Sequence, residues 1–170
     1  MIDPKVSFQR WYVDPLRKLQ EIPNGDGGFV ALSTSCFLYE RYAVTVIKGG
    51  GGKADRDTKI LQFMNDFNTD KPTAEAFWDV IRDGMLHQAM PKTGEFGKKT
   101  SMGWAFHGSL TKPVGMGKAN GNDILLIEPW LFTERVITLW QANLDLLDKS
   151  KSFPWAQIVP IVFKNAISPK

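Results

Sequence analysis

The stretch FVALSTSCFLYERYAVTVIK, residues 29–48, decides the fold. Apolar residues recur along it every three or four positions, which is the spacing that places side chains on one face of a helix. That face consists of Phe29, Leu32, Cys36, Tyr39 and Ala43, and it is widened by Phe37, Val44 and Ile47. Glu40 and Arg41 stand within the stretch, and such a charged pair is costly inside a lipid bilayer. The stretch therefore predicts a helix buried on most of its circumference, and no membrane crossing.

Four other segments show the same helical spacing of apolar residues. They are residues 6–20, 58–67, 73–90 and 129–148. Proline inside a helix removes a backbone hydrogen bond, so we expect Pro15 to kink or break the first segment. Thr73 is the expected N-cap of the third segment, and Pro129 suits the first position of the last one. Together the five segments predict a bundle of four to five helices.

A short β-insertion is predicted before the last helix. WAFH at 104–107 and DILLI at 123–127 are apolar runs of strand length, and we expect them to form a hairpin with a long loop, at about residues 100–127. The apolar, proline-containing tail is expected to pack as an extended strap at about 153–170. The predicted fold class is therefore mainly α, with a small β-hairpin insertion, in a single domain covering residues 1–170.

Composition limits the class of protein without identifying its function. Of the 170 residues, 43% are hydrophobic and 23% are charged, which is ordinary for a globular protein and excludes a disordered chain. The net charge of +3 is too small to indicate nucleic-acid binding unless the basic residues cluster. The single cysteine, Cys36, excludes an intrachain disulfide and a zinc site built from cysteines. The first residues lack the unbroken apolar region of a signal peptide, so we expect a cytoplasmic location.

The segment WDVIRDGMLHQ, residues 78–88, contains the strongest candidate for chemistry. Asp83 and His87 are four residues apart on a predicted helix, so the carboxylate could orient the imidazole. Arg82 and His87 are five apart and diverge by roughly 140° around the helix, so they do not face each other within one chain. Gly84 costs about 1 kcal/mol in a helix and indicates the close approach of another backbone. Two helices crossing at Gly84 would bring Arg82 and His87 of neighbouring chains into one cleft.

The run RDGMLH resembles the Arg-x4-His motif of the HEPN superfamily (higher eukaryotes and prokaryotes nucleotide-binding domain). In that family a polar residue often follows the arginine, which is the place of Asp83 here. The family motif lies near the end of a helix in an all-α bundle, as these residues do in the predicted fold. The helix with LYERY at 38–42 is similar to the family's second helix, where an acidic residue, here Glu40, faces the motif. The resemblance covers about residues 6–147.

The resemblance implies metal-independent cleavage of RNA at the interface of a homodimer, with no cofactor. In that chemistry the ribose 2′-OH attacks the adjacent phosphodiester. His87 would act as general base or acid, Arg82 would hold the phosphate, and Asp83 would orient His87 or the partner's Arg82. Many family members are toxins, controlled by an antitoxin, or phage-defence effectors. Others have lost activity and act as binding or dimerising modules, so the resemblance leaves both functions open.

The same residues also have structural interpretations. Arg82 could form an ordinary surface ion pair with Asp79 or Asp83, as charged residues on helices usually do. His87 could stabilise the C-terminal end of its helix, where a positive charge is favourable. Glu40 could belong to a half-buried ion pair instead of supporting a site. The alternative function is therefore a catalytically inactive helical module that binds a protein or nucleic-acid partner.

Basic and aromatic residues alternate in the glycine-rich region before the last helix, and this pattern could bind a nucleic-acid backbone and stack bases. The candidates for this surface are Lys98, Lys99, Lys112, Lys118 and Trp104. The alternative is a solvated loop with its aromatic residues in the core. The run GGGGK at 49–53 lacks a preceding strand and the spacing of a phosphate-binding loop, so we interpret it as a linker.

Overall fold

The computed structural model describes residues 3–92 and 102–146. Five helical rods and one small sheet make up this part of the chain, which confirms the prediction of a mainly α protein with four to five helices. The first rod joins α1 (Pro4–Phe8), a π-helical segment (Gln9–Val13) and α2 (Asp14–Lys18). The next two rods are α3 (Gly27–Gly49) and α4 (Arg56–Phe67). The fourth joins α5 (Lys71–Ala76), a second π-helical segment (Phe77–Arg82) and α6 (Asp83–Gln88), and the fifth is α7 (Pro129–Ala142).

Helix α3 packs against α4 and α7, but less of it is buried than the sequence predicts, because Phe37, expected to widen its apolar face, is 49% exposed. It packs along α7, and the indole N–H of Trp140 on α7 donates a hydrogen bond to the carbonyl of Leu38 at 3.1 Å. Between the same two helices, the buried hydroxyl of Ser35 donates to that of Thr133 at 3.0 Å. These bonds satisfy polar atoms that would be costly to bury alone.

A cluster of aromatic rings joins α3 to the other helices. The ring of Tyr39 lies edge-on to those of Phe67 at 5.0 Å and Trp78 at 6.4 Å, measured between centroids. Phe63 stacks on Phe77 at 4.6 Å, and Phe67 stacks on Phe132 at 4.8 Å. Offset-stacked and edge-on pairs are the favoured geometries of aromatic rings. This cluster fixes α4, the second π-helical segment and α7 around α3.

Side-chain caps determine where the helices begin. Asp55 accepts a hydrogen bond from the Thr58 amide at 3.0 Å and starts α4, and Glu128 caps α7 with Pro129 at its first position, as predicted. The prediction of Thr73 as an N-cap is wrong. Asp70 caps α5 by accepting from the Thr73 amide at 2.9 Å, because an aspartate three residues earlier reaches that free N–H.

Pro15 does not break the first rod, because helical backbone continues through it from the π-helical segment into α2. The Asp14 amide just before it donates to the Gln9 carbonyl, five residues earlier, so the wider π-type turn lies directly before the proline. The expected break is therefore wrong, and the expected kink stays a prediction.

The sheet differs from the predicted hairpin. Strand β3 (Asn122–Ile127) lies between β1 (Gly103–Phe106), which is parallel to it, and β2 (Val114–Ala119), which is antiparallel. The hairpin therefore joins β2 and β3, through a two-residue turn at Asn120 and Gly121 with φ of 51° and 81°. Both angles suit a type I′ turn, whose twist matches paired strands. The expected pairing of 104–107 with 123–127 exists, but in the parallel direction.

No helix among residues 3–92 and 102–146 has both the length and the apolar character that a bilayer crossing needs. Lys98, Lys99 and the predicted C-terminal strap at 153–170 lie outside the described residues.

Candidate functional site

Five charged side chains meet where α3, α4 and the fourth rod come together. We call them the Arg82 cluster: Glu40, Lys59, Arg82, Asp83 and Lys92. Arg82 Nε donates to Glu40 Oε2 at 2.8 Å, Arg82 Nη2 donates to Glu40 Oε1, and Arg82 Nη1 donates to Asp83 Oδ1 at 2.5 Å. Lys59 Nζ contacts Glu40 Oε1 at 3.3 Å, and Lys92 Nζ lies 3.8 Å from Asp83 Oδ2. The cluster thus holds three cations and two anions.

The cluster is half-buried and rests on the indole of Trp78. The guanidinium carbon of Arg82 lies 5.7 Å from the ring centroid, and Lys59 Nζ lies 5.6 Å from it, within the range of cation–π attraction. Desolvation lowers the pKa of Arg82, but its hydrogen bonds to Glu40 and Asp83 outweigh this effect and raise the pKa above its ordinary value. Arg82 therefore remains a fixed positive charge.

The backbone around Arg82 departs from a regular α-helix. The π-helical segment Phe77–Arg82 ends at Arg82, and such segments occur frequently at functional sites. After α6 the chain reverses at Ala89, which has φ of 56°, and the Lys92 amide donates to the Val80 carbonyl at 2.9 Å. This return places Lys92 beside Asp83.

The reversal also explains Gly84. A Cβ there would lie 2.6 Å from both the Lys92 nitrogen and the Met90 oxygen, so a side chain does not fit. Close approach of a backbone at Gly84 was expected from the sequence, but the approaching backbone belongs to residues 90–92 of the same chain. The expectation that a second helix crosses at Gly84 is therefore wrong, because that face is already covered.

His87 is exposed, one helical turn beyond Asp83. Among the described residues it forms no hydrogen bond or ion pair. The two carboxylate oxygens of Asp83 point instead to Arg82 and Lys92, so the predicted orientation of His87 by Asp83 is not formed in this structure. Arg82 faces Glu40 on α3, whereas His87 lies farther around α6. The structure thus joins Arg82, Asp83 and Glu40, and leaves His87 apart from them.

The candidate nucleic-acid-binding residues of the glycine-rich region make no contact with the Arg82 cluster among the described residues. Lys118 pairs with Asp123 at 3.4 Å across β2 and β3, and Lys112 is exposed in the loop before β2. Trp104 is half-buried on β1, with its ring 5.3 Å from that of Phe106. The structure therefore divides the sequence candidates between two separate regions.

Sequence analysis missed Lys59 and Lys92 as members of the cluster. Lys59 is 19 residues from Glu40, and only the packing of α4 on α3 brings the two together. Glu40 belongs to a half-buried ion pair, as one of the structural interpretations expects, but its partner is Arg82 and not the neighbouring Arg41, which is exposed. The available signal was an acidic residue on α3 and a basic residue on α4, and such single opposite charges on neighbouring helices are too common to identify a site.

Cys36 lies in the core beneath the cluster, as its place on the apolar face predicts. Burial, together with the negative charge of Glu40, raises the pKa of its thiol far above the ordinary value. The thiol is therefore not a nucleophile at neutral pH. Within the described ranges, no three His, Cys, Asp or Glu side chains are grouped as a metal site would require.

Comparison of the chain with protein-family models, with curated proteins and with solved structures finds no match.

Proposed function

We propose that this protein is a metal-independent endoribonuclease of the HEPN type, in which Arg82 binds the scissile phosphate and His87 moves a proton. The observation that carries the proposal is the combination of a rigidly held, partly exposed Arg82 with an exposed His87 on the same rod. A phosphate binds best to a guanidinium whose orientation is fixed in advance. A general base must be free to reach the substrate, and His87 meets that condition.

The chemistry follows from these two roles. His87 accepts the proton of the ribose 2′-OH, and the resulting alkoxide attacks the adjacent phosphorus. The P–O bond to the 5′ oxygen of the next nucleotide breaks, that oxygen takes up a proton from water, and His87 then returns its proton to the solvent. The products carry a 2′,3′-cyclic phosphate and a 5′-hydroxyl. Arg82, with Lys92 beside it, stabilises the charge that builds on the phosphoryl oxygens.

The different directions of Arg82 and His87 support a site shared between two chains. In this arrangement Arg82 of one protomer and His87 of its partner meet the same phosphodiester. The homodimer would form away from Gly84, which residues 90–92 cover. A cytoplasmic location and a role as a toxin or phage-defence effector, with an antitoxin or other protein partner, belong to the same proposal.

The decisive experiment uses the two histidines as matched variants. Wild type, His87→Ala and His107→Ala are incubated with 5′-labelled single-stranded RNA in excess EDTA, and the product ends are analysed. His107 is also exposed, but it lies at the end of β1, away from Arg82. We expect cyclic-phosphate ends from wild type and His107→Ala, and a loss of at least about 100-fold for His87→Ala. Equal cleavage by all three proteins contradicts the proposal.

A mixing experiment tests the shared site. Arg82→Lys and His87→Ala are each expected to be impaired alone, since Lys lacks the two-pronged geometry of arginine. When equal amounts are mixed, half of the dimers contain one chain of each kind and therefore one intact site, so about a quarter of wild-type activity should return. If no activity returns from a demonstrated mixed dimer, the site is not shared.

One observation favours the alternative function. Among residues 3–92 and 102–146, the hydrogen bonds of the Arg82 guanidinium go to Glu40 and Asp83, as in an ion cluster that stabilises the fold. A catalytically inactive module that binds a protein or nucleic acid would then tolerate His87→Ala. Unchanged binding of that variant to RNA, together with no cleavage by wild type, would support this function.

A further inference from the structure

An exposed aromatic ring stands beside the Arg82 cluster. Phe37 lies on α3, the longest helix of the described residues, and it is 49% exposed. A phenyl ring left half in water gives up part of the free energy that burial would provide. The place of this ring is more informative than its exposure alone, since scattered exposed apolar residues are common.

Two contacts locate Phe37 on the surface. Three residues after it, Glu40 binds Arg82, and four residues before it, Ser33 donates to the sulfur of Met85 on α6 at 3.4 Å. Residues three and four apart on a helix are neighbours, with about 5–6 Å between their Cβ atoms. Phe37 is therefore a helical neighbour of both Ser33, which contacts Met85, and Glu40, which binds Arg82. Helical side chains lean toward the N-terminus, so its ring leans toward the Ser33–Met85 contact.

The charged groups that begin next to Phe37 on α3 carry a net positive charge. Arg41, one turn after Phe37, is exposed, and Glu40, three residues after it, joins the Arg82 cluster of three cations and two anions. Arg41 and the cluster together hold four basic and two acidic side chains. This combination is the one used by proteins that bind single-stranded nucleic acid, in which cations follow the backbone and aromatic rings stack on bases.

We propose that Phe37 is a base-stacking residue that holds a nucleotide of single-stranded RNA next to the phosphate at Arg82. This inference rests on the proposed function for its substrate. It adds a binding contact that neither the Arg-x4-His motif nor the basic β-region contains. Phe37 is a positioning residue, since it stacks on a base and takes no part in the transfer of protons.

The experiment measures binding separately from cleavage. Every protein carries His87→Ala so that the RNA stays intact, and a fluorescein-labelled 12-nucleotide single-stranded RNA is titrated by anisotropy. Phe37→Ala should weaken binding about 5- to 100-fold, the range expected for one lost base stack. Phe37→Leu keeps an apolar side chain but not a flat ring, so it should also weaken binding, whereas Phe37→Trp should retain it. Leu131→Ala, an exposed apolar position on α7, should leave binding unchanged.

A second series identifies the stacking itself. The same RNA is prepared with one abasic position at a time, and one of these RNAs should bind the Phe37 protein at least about fivefold more weakly than the intact RNA. With Phe37→Ala the same abasic RNA should lose almost nothing further. Equal losses in both proteins overturn the stacking proposal.

Sedimentation of the variants distinguishes RNA from a second copy of the chain as the occupant of this surface. If Phe37→Ala dissociates a dimer while Phe37→Leu preserves both the dimer and RNA binding, the ring is a protein contact and the proposal is wrong. If RNA binding depends on Phe37 but the protein with His87 intact does not cleave RNA, the stacking proposal stands and the proposed nuclease function is wrong. If wild type cleaves RNA and Phe37→Ala does not alter binding, only the stacking proposal is wrong. If no RNA binding is detected at all, both the stacking proposal and the nuclease proposal are wrong.

Discussion

The guanidinium of Arg82 and the carboxylate of Glu40, which are 42 residues apart in the chain, face each other with two hydrogen bonds. Their side chains are only 18% and 20% exposed, so neither charge is fully hydrated. Removing one partner leaves the other charge half-buried without its main partner, whereas removing both avoids that cost and leaves only the contacts of Lys59 and Asp83 to be lost. The pair therefore links α3 to the fourth rod, and a double-mutant cycle can measure its coupling free energy.

We expect Arg82→Gln to lower the free energy of unfolding by about 2 kcal/mol, and the double variant Glu40→Gln/Arg82→Gln to cost less than the sum of the single changes. A double-mutant cycle by urea denaturation gives the coupling energy, which should be about 1–2 kcal/mol. The control is the pair Arg56 and Asp79, which are 50% and 58% exposed and should couple by about 0.5 kcal/mol or less. Equal coupling in the two pairs would show that burial does not strengthen the Arg82 pair.

Gly84→Ala tests the close packing of the backbone of residues 90–92 against α6 at Gly84. The new methyl group would lie 2.6 Å from backbone atoms, so either the return segment moves or the hydrogen bond from Lys92 to Val80 breaks. We expect a loss of about 1–3 kcal/mol in urea denaturation. Gly49→Ala, at the end of α3 with open space around it, is the control and should be neutral or slightly stabilising. A neutral Gly84→Ala would contradict the close approach.

Asp66 should make the stability of the protein depend on pH. Burial raises the pKa of this carboxyl, although hydrogen bonds from Gln62 and Tyr39 oppose the effect. The folded state therefore holds the proton more tightly than the unfolded state, whose pKa is about 3.9. The contribution of Asp66 to stability is then greatest below that pH and falls as the pH rises through the folded pKa.

Asp66→Asn removes this titration while keeping an oxygen that accepts from the Tyr39 hydroxyl. The free energy of unfolding of the variant, relative to wild type, should therefore increase between pH 4 and pH 7. Urea denaturation of both proteins across that range measures the difference and cancels the other acids, including Asp55 and Asp70, whose pKa values are lowered by their capping bonds. A relative stability that falls as the pH rises would show that the sign is wrong.

Substitution of Gly121 tests the turn that joins β2 to β3. Gly121 has φ of 81°, a conformation that costs residues with a Cβ about 1–2 kcal/mol. We expect Gly121→Ala to destabilise the protein by about 1 kcal/mol in urea denaturation. Gly115→Ala on β2, where φ is ordinary and nothing lies within 4 Å of the new methyl group, should be close to neutral. If both changes have the same effect, the turn is not of this type.

The helices of this protein were predictable because each one carries its own signal. The apolar spacing of residues 29–48 is a local property, and it indicates a helix with an apolar face without reference to the rest of the chain. Glu128 and Pro129 likewise start α7 through bonds within one turn. The parallel direction of β1 was not predictable, because a short strand can pair with its neighbour in either direction and its own residues do not determine which. The Asn-Gly dipeptide at 120–121 is a local hairpin signal, and the sequence prediction did not use it.

A mainly α protein with a long apolar helix at residues 29–48 could be inferred from the sequence, which also drew attention to Arg82, Asp83 and His87. Tertiary structure alone decided the partners of these residues. Glu40 and Lys59 reach Arg82 because α3 and α4 pack against the fourth rod, and Lys92 reaches Asp83 because the chain turns back after α6. Contacts between residues far apart in the chain depend on how whole helices pack, and no spacing within a single helix records that arrangement.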